Sequence, residues 1–197
     1  MLARHLRKKI SEKFLYPIGR KLSINPNMIT ALTYVLSPIA GYFIFIKNYP
    51  IALVFVIISS LIDNIDGAIA KAQNKRTDFG SYFDAFSDRV QEFFILLGFF
   101  LSGYALESFL ALAFSFLVSY AKARAEMIRP LGNIDWPSVG ERAERLLVII
   151  LTLLVASFRH YIFKLDVISV GLYFLSFIAF TGTLQRFIFA KHVLEKK

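Results

Sequence analysis

The chain has 197 residues, of which 56% are hydrophobic, and it contains no cysteine, which excludes disulfides and thiolate metal sites. Its formal net charge is +9, but the basic residues are spread over alternate loops instead of forming one patch, so we expect no nucleic-acid partner. The hydrophobic fraction exceeds that of an ordinary soluble domain and falls in long runs, which predicts a membrane protein.

The first predicted element is an amphipathic helix over residues 1–22. Leu2, Leu6, Ile10 and Phe14 recur at helical spacing within basic sequence, a pattern typical of a helix that lies on a membrane surface. The alternative is a disordered basic tail. We expect no cleavable signal peptide, because this stretch has no continuous apolar run.

Six apolar segments follow, each about long enough to cross a hydrocarbon core of roughly 30 Å. They cover about 27–46, 51–71, 80–103, 105–126, 143–163 and 167–190. Because little chain is left over, we expect one domain over residues 1–197. The predicted fold class is an all-α integral membrane protein with six transmembrane helices and an N-terminal surface helix.

The basic residues fall at alternate ends of these spans. They lie at both termini, between spans two and three and between spans four and five, whereas the other turns hold only Lys47, Arg159 and Lys164. By the positive-inside rule, this pattern predicts a multi-pass protein of the cell membrane with both termini in the cytoplasm.

Four aspartates interrupt the apolar sequence at the predicted cytoplasmic ends of spans two and three. They are Asp63 and Asp66, which share a helix face with Gly67 and Ala70, and Asp84 and Asp88, which share a face with Gly80 on the next helix. The short connection predicts antiparallel neighbouring helices, so we expect the four carboxylates to meet at one depth near the cytoplasmic surface.

Four carboxylates at one site repel one another unless cations neutralise them. Oxygen ligands favour hard ions such as Mg²⁺ or Mn²⁺, and two such ions held by shared carboxylates suit displacement at a phosphoryl centre. One aspartate can also take the proton of a hydroxyl nucleophile. The alternative is a set of ordinary interhelical salt bridges, for which span three supplies only Arg89 in its polar stretch.

The aspartate region resembles the signature of the CDP-alcohol phosphotransferase family, Asp-x2-Asp-Gly-x2-Ala-Arg-x8-Gly-x3-Asp-x3-Asp. Every spacing matches from Asp63 to Asp88, and Lys71 stands where the family usually has Arg. A Lys can offset phosphate charge but lacks the two-pronged fork of Arg. The six spans and the N-terminal surface helix are also similar to the family, so the resemblance covers essentially the whole chain.

The resemblance implies an enzyme of phospholipid biosynthesis that transfers the phosphatidyl-type group of a CDP-linked lipid to an alcohol and releases CMP. Asp63, Asp66 and Asp84 would bind two divalent cations, Mg²⁺ or Mn²⁺, with help from Asp88, which would also be the catalytic base. Contacts to the CDP-lipid would come from Pro26, Asn27, Met28, Ile29, Gly67, Lys71, Thr77 and Gly80. A homodimer is expected from the same resemblance.

A second polar stretch bears on the acceptor. The strings SYAKARAEMIRP and GERAERLL are similar to elements of the phosphatidylinositol-phosphate synthase branch of the family, which uses inositol 1-phosphate with CDP-diacylglycerol or CDP-archaeol. Arg and Lys are the usual clamps for phosphate. The acceptor's phosphate is therefore assigned to Lys122, Arg124, Arg142 and Arg145, with Arg186 as a further candidate whose alternative is snorkelling to the membrane interface.

Three alternatives stay open. Glycerol 3-phosphate is an acceptor with its own phosphate, and CDP-inositol is a donor without lipid. From another class, a divalent-cation transporter would use the four acids as a binding site. Transporters tend to show repeats and broken helices around such sites, and no internal repeat is evident in this sequence.

Overall fold

A computed structural model describes residues 26–72, 77–130, 136–137 and 139–195, with side chains described throughout except at 26–27 and 63–72. The predicted surface helix over residues 1–22 lies outside the described residues and stays a prediction.

Six helices make up most of the described chain. They are α1 (Pro26–Phe45), α2 (Tyr49–Ala72), α3 (Asp78–Leu101), α4 (Ala105–Ile128), α5 (Arg142–Phe158) and α6 (Val167–Glu195). Each corresponds to one predicted apolar segment, because the runs between turn residues are long and uniform enough to set helix position locally.

Three of these helices are long and apolar enough to cross a membrane by length and composition. Within the described residues these stretches are Met28–Phe45, Ala105–Ile128 and Val167–Glu195. Two of the other three differ for visible reasons: α3 carries acidic and basic side chains over its first half, and α5 has only 17 residues. In α2 the described side chains end at Ile62, which leaves the shorter apolar stretch Tyr49–Ile62.

A short β-hairpin between α5 and α6 departs from the all-α prediction. Strand β1 (Tyr161–Ile162) pairs antiparallel with β2 (Leu165–Asp166), so the fifth predicted span, drawn to residue 163, ends earlier, at Phe158. Phe163 and Lys164 form the turn with positive φ angles of 50° and 67°. Neither residue is a typical turn former, which is why the sequence did not reveal the hairpin.

The hairpin also fixes where α6 begins. One carboxylate oxygen of Asp166 accepts hydrogen bonds from the backbone N–H groups of Ile168 (2.8 Å) and Ser169 (3.0 Å). Its other oxygen accepts from the hydroxyl of Tyr104 at 2.9 Å, just before α4. Asp166 thus caps α6 and ties it to the start of α4. Burial and the bond to Asp166 raise the pKa of Tyr104.

Helices that are neighbours in space are often not consecutive in the sequence. Helix α1 packs against both α2 and α3, α4 packs against α6, and α5 contacts α2 and α6. Over the described residues, α2 and α3 make few contacts with each other. The sequence predicted that their four aspartates lie close together, but the side chains of Asp63 and Asp66 are outside the described ones, so this stays a prediction. The main apolar core, which includes Ile44, Val56, Phe99, Ala111, Leu153 and Leu172, joins all six helices.

The close crossing of α1 and α3 depends on two glycines. A Cβ added at Gly98 would overlap the carbonyl oxygen of Gly41 on the facing helix. We expect Gly98→Ala to destabilise the protein by about 1–3 kcal/mol, because the helices must separate. Thermal unfolding in detergent measures this, with Leu101→Ala as control, since Leu101 is exposed near the end of the same helix. An unchanged midpoint for Gly98→Ala would show that the crossing can relax at no cost.

Candidate active site

The start of α3 is set by a cap at Thr77. Its hydroxyl oxygen accepts a hydrogen bond from the backbone N–H of Gly80 at 2.9 Å. The sequence assigned Thr77 to the CDP-lipid, and the structure gives its side chain this contact within the protein. The cap fixes where the helix begins and hence the direction in which its polar side chains project.

Polar side chains follow one stripe of α3 toward the middle of the bundle. Asp84, Asp88 and Glu92 recur every four residues, and Gln91 lies beside Glu92. Glu92 is only 6% exposed. Glu92 was not among the site residues predicted from the sequence, although the same four-residue spacing leads directly from Asp88 to it.

Helix α5 begins after a tight turn and presents two arginines to that stripe. Gly140 has a φ of 72°, in the left-handed region that favours glycine, and its N–H donates to Glu144 Oε2 at 2.9 Å. Arg142 and Arg145, one helical turn apart, both contact side chains of α3.

These elements enclose a cavity of about 680 Å³ between α3, α4, α5 and α6. Six of the residues predicted from the sequence line it, namely Asp84, Asp88, Lys122, Arg142, Arg145 and Arg186. Arg89, Ser119, Tyr120 and Glu141 also line it and were not assigned to the site from the sequence. The cavity therefore brings two of the four predicted acids together with most of the predicted phosphate-binding cations.

Asp88 and Arg142 form the central ion pair of the cavity. Asp88 Oδ1 lies 2.5 Å from Arg142 Nη1, and Asp88 Oδ2 lies 3.8 Å from Arg89 Nη2. The second guanidinium nitrogen of Arg142, Nη2, donates to Gln91 Oε1 at 2.5 Å. A proposed base and a proposed phosphate ligand are thus in direct contact.

Arg145 is engaged by protein groups. It is 1% exposed, and its Nε and Nη2 donate to the two carboxylate oxygens of Glu92 at 2.6 and 3.0 Å. Its Nη1 donates to the carbonyl of Gly140, and Arg89 Nη1 lies 3.4 Å from the same carboxylate. This two-bond fork with Glu92 neutralises much of the positive charge of Arg145, which the sequence predicted to bind the acceptor's phosphate.

Arg186 is buried in the bundle, so the snorkelling alternative is wrong. The side chain is 6% exposed and donates to the carbonyls of Val118 (2.7 Å) and Pro137 (3.3 Å). Its Nη2 lies 3.9 Å from Glu141 Oε1. Arg186 therefore ties α6 to α4 and to the segment before α5, while one side of it faces the cavity.

The two basic residues near the end of α4 take different positions. Lys122 lines the cavity, and within the described part of the chain no carboxylate lies in ion-pair distance of its ammonium group. Arg124 does not line the cavity, is exposed, and has its Nη1 3.3 Å from Met127 Sδ. Of the two, only Lys122 offers its charge to a molecule bound in the cavity.

The acids of the cavity suit a hard divalent cation. Asp84 and Asp88 supply carboxylate oxygens from one helix face, which is the donor chemistry that Mg²⁺ and Mn²⁺ prefer. The side chains of Asp63, Asp66, Gly67 and Lys71 lie outside the described ones. Accordingly, no cluster of three possible metal ligands occurs among the side chains that are described.

The predicted CDP-lipid contacts are described only in part. Met28 is 70% exposed in the first turn of α1, and Ile29 and Gly80 are half-buried. The side chains of Pro26 and Asn27 fall outside the description. The assignment of this group of residues to the donor stays a prediction.

The chain matches known sequences over most of its length. The family model for CDP-alcohol phosphatidyltransferase matches residues 23–181. An uncharacterized protein of Aquifex aeolicus is 32% identical over 207 residues, covering 100% of this chain and 98% of that one. The archaetidylinositol phosphate synthase of Pyrococcus horikoshii is 29% identical over 195 residues, covering 95% and 97%. A CDP-diacylglycerol–glycerol-3-phosphate 3-phosphatidyltransferase of A. aeolicus is 36% identical over 74 residues, covering 38% of this chain and 42% of that one.

The fold is similar to that of the Mycobacterium tuberculosis phosphatidylinositol phosphate synthase PgsA1. The crystal structure of PgsA1 with CDP-DAG bound gives a TM-score of 0.76 at 24% identity, covering 90% of this chain and 94% of that one. The structure of PgsA1 with manganese and citrate gives 0.74 at 25% identity, covering 90% and 89%.

Proposed function

We propose the following reaction for this chain, which belongs to the CDP-alcohol phosphatidyltransferase family. A CDP-linked lipid, CDP-diacylglycerol or CDP-archaeol, donates its lipid phosphate group to a hydroxyl of inositol 1-phosphate, and CMP is released. The observation that carries the proposal is the shared cavity, where Asp84 and Asp88 lie beside Lys122 and Arg142. A phosphorylated alcohol needs such a combination, because its phosphate requires cations while its hydroxyl requires a base.

In this reaction the acceptor's hydroxyl oxygen forms a bond to the phosphorus that carries the lipid. The bond from that phosphorus to the bridging oxygen breaks, and CMP leaves with the bridging oxygen. Asp88 takes the hydroxyl proton. Two divalent cations, Mg²⁺ or Mn²⁺, held by Asp63, Asp66, Asp84 and Asp88, would neutralise the charge that develops on the phosphates.

The acceptor's phosphate is held chiefly by Lys122 and Arg142 in this proposal. Lys122 has no carboxylate partner among the described residues, and Arg142 contacts Asp88 directly, so a phosphate on Arg142 lies next to the base. Arg145 and Arg186 are occupied by Glu92 and by backbone carbonyls, so they contribute positive potential rather than exchangeable hydrogen bonds. Arg124 is not included in the proposed site, because it does not line the cavity.

Inositol 1-phosphate is preferred to glycerol 3-phosphate on the extent of similarity. The archaetidylinositol phosphate synthase of P. horikoshii aligns with 95% of this chain, whereas the glycerol-3-phosphate enzyme aligns with 38%. We propose further that six helices span the cell membrane, that both termini and the cavity face the cytoplasm, and that the protein is a homodimer. Membership of a transferase family argues against the transporter alternative.

An assay of CMP release tests the function. Purified protein is incubated with a CDP-linked lipid, Mg²⁺ or Mn²⁺, and either inositol 1-phosphate, glycerol 3-phosphate or free inositol. We expect release with inositol 1-phosphate and little with the other two. Release only with glycerol 3-phosphate, or only when CDP-inositol replaces the lipid donor, would refute the acceptor or donor assignment. No release with any combination would refute the transferase itself.

A pair of charge-removing variants tests the phosphate site. We expect Lys122→Gln to raise the KM for the acceptor by about 10- to 100-fold, because hydrogen bonds to charged groups contribute roughly 1.5–3 kcal/mol. Arg124→Gln removes the same charge two residues away and should change that KM less than twofold. Steady-state kinetics at saturating CDP-lipid gives both values. Equal effects of the two substitutions would mean that general positive potential, and no specific contact, attracts the acceptor.

A further inference from the structure

A buried line of polar groups leads from the core of the bundle to the cavity. Gln91 is 2% exposed, and its side-chain Nε2 donates to Ser59 Oγ at 2.6 Å. Ser59 Oγ lies 3.4 Å from Ser37 Oγ, which donates to the carbonyl of Thr33 at 2.6 Å. Burying a polar group costs free energy unless it forms a hydrogen bond. A row of buried polar side chains across α1, α2 and α3 therefore suggests a functional role.

The chemistry of the neighbours fixes the orientation of the Gln91 amide. A guanidinium can only donate, so the side-chain oxygen of Gln91 must face Arg142, whose Nη2 lies 2.5 Å away. The amide nitrogen must then face Ser59. A rotation of the amide by 180° would turn its nitrogen toward Arg142 and lose that hydrogen bond, whereas the hydroxyl of Ser59 can pair with either end of the amide.

This orientation restricts how Arg142 meets Asp88. Arg142 Nη2 lies 2.5 Å from Gln91 Oε1, and Nη1 of the same guanidinium lies 2.5 Å from Asp88 Oδ1. Without Gln91, the guanidinium would be free to turn and form the two-bond fork that Arg and carboxylates favour. Such a fork would occupy both oxygens of Asp88 and both terminal nitrogens of Arg142.

We propose that Gln91 is a positioning residue, which keeps Arg142 from forming a two-bond fork with Asp88 and holds its guanidinium ready for the phosphate of the acceptor. This inference rests on the proposed function, since it assigns Arg142 to a phosphorylated acceptor. Gln91 lines a small cavity that also contacts Asp88 and Arg142. Asp88 and Arg142 line the larger cavity as well, whereas Gln91 does not. Ser59 acts one step further away, by anchoring the other end of the amide.

Kinetics of Gln91→Met, which keeps the length of the side chain and removes both hydrogen bonds, tests the inference. We expect the KM for the acceptor to rise about tenfold and the KM for the CDP-lipid to stay within twofold. Ser59→Ala, at a distance from the cavity, should raise the acceptor KM about threefold because the amide loses one of its two anchors. Ser176→Ala is the control, since that buried hydroxyl donates to Leu172 within its own helix at 2.8 Å, and it should leave both KM values unchanged.

Two results would overturn the inference. One is an unchanged acceptor KM in Gln91→Met, and the other is an equal rise in both KM values, which marks a general loss of packing. If Gln91→Met does not fold, Ser59→Ala decides by the same split between the two KM values. The activity of the wild-type protein distinguishes a failure of this inference from a failure of the proposed function. If the wild type is active and the variants are unaffected, the positioning role of Gln91 is refuted and the function stands. If the wild type is inactive with phosphorylated acceptors, the proposed function is refuted.

Discussion

Asp88→Asn is expected to lower kcat by about a thousandfold, because an amide cannot take the proton that the attacking hydroxyl must lose. The side chain lies at the cavity with its Oδ1 on Arg142, so the change alters charge and leaves shape nearly intact. Binding of CDP, measured by calorimetry in the presence of Mn²⁺, should weaken much less than kcat falls, since three other aspartates are assigned to the cations.

The matched control for this substitution lies on the same helix. Asp78 is an exposed acid in the first turn of α3 and does not line the cavity. Asp78→Asn should keep kcat within about twofold, and its cost to stability should stay below about 1 kcal/mol from the weaker interaction with the helix dipole. If Asp88→Asn retains near-normal turnover, Asp88 is not the base and the proton must go elsewhere.

The buried pair of Glu92 and Arg145 carries the largest expected effect on stability. Arg145→Met should destabilise the protein by about 3–5 kcal/mol, because the carboxylate of Glu92 then stays buried without its fork. Glu92→Leu should cost a similar amount, since it strands Arg145 and also removes a partner of Arg89. The shift of the thermal unfolding midpoint in detergent measures both effects.

A double substitution separates the pair from its surroundings. The variant with both Glu92→Leu and Arg145→Met should be more stable than the sum of the two single effects predicts, because neither charge is left unpaired. Additive effects would show that each residue stabilises the fold through other contacts, such as that of Arg145 with Gly140. Because the acceptor's phosphate is assigned to Lys122 and Arg142, the double variant should also keep part of its activity where it folds.

Several features of the site follow from local sequence. The four-residue spacing of Asp84 and Asp88 places them on one face of α3, and the helix is present because the surrounding run is apolar and free of proline. Extending the spacing by one step would have found Glu92. The hairpin at Phe163 and Lys164 lacked such a signal, because non-glycine residues with positive φ have no strong sequence pattern.

The sequence could not show which groups the lysine and arginine side chains contact. Lys122 and Arg124 are two residues apart and both positively charged, yet they point to different sides of α4, and only Lys122 reaches the cavity. Arg186 was predicted as a further ligand of the acceptor's phosphate, with the membrane interface as the alternative, and in the structure it donates to carbonyls of α4 and of the segment before α5. A guanidinium takes whichever acceptors the neighbouring helices offer, and those are set by packing between distant segments.

The sequence by itself determined where the helices lie, which acids share a face and which family the chain resembles, because each of these depends on spacing along a single segment. Only the tertiary structure decided which charges meet. It joined Arg145 to Glu92, placed Arg142 between Asp88 and Gln91, and left Lys122 without a carboxylate partner in the described part of the chain. The physical reason is that a buried charge must find its partner across a helix interface, and interfaces such as the crossing at Gly41 and Gly98 depend on shapes that no single segment encodes.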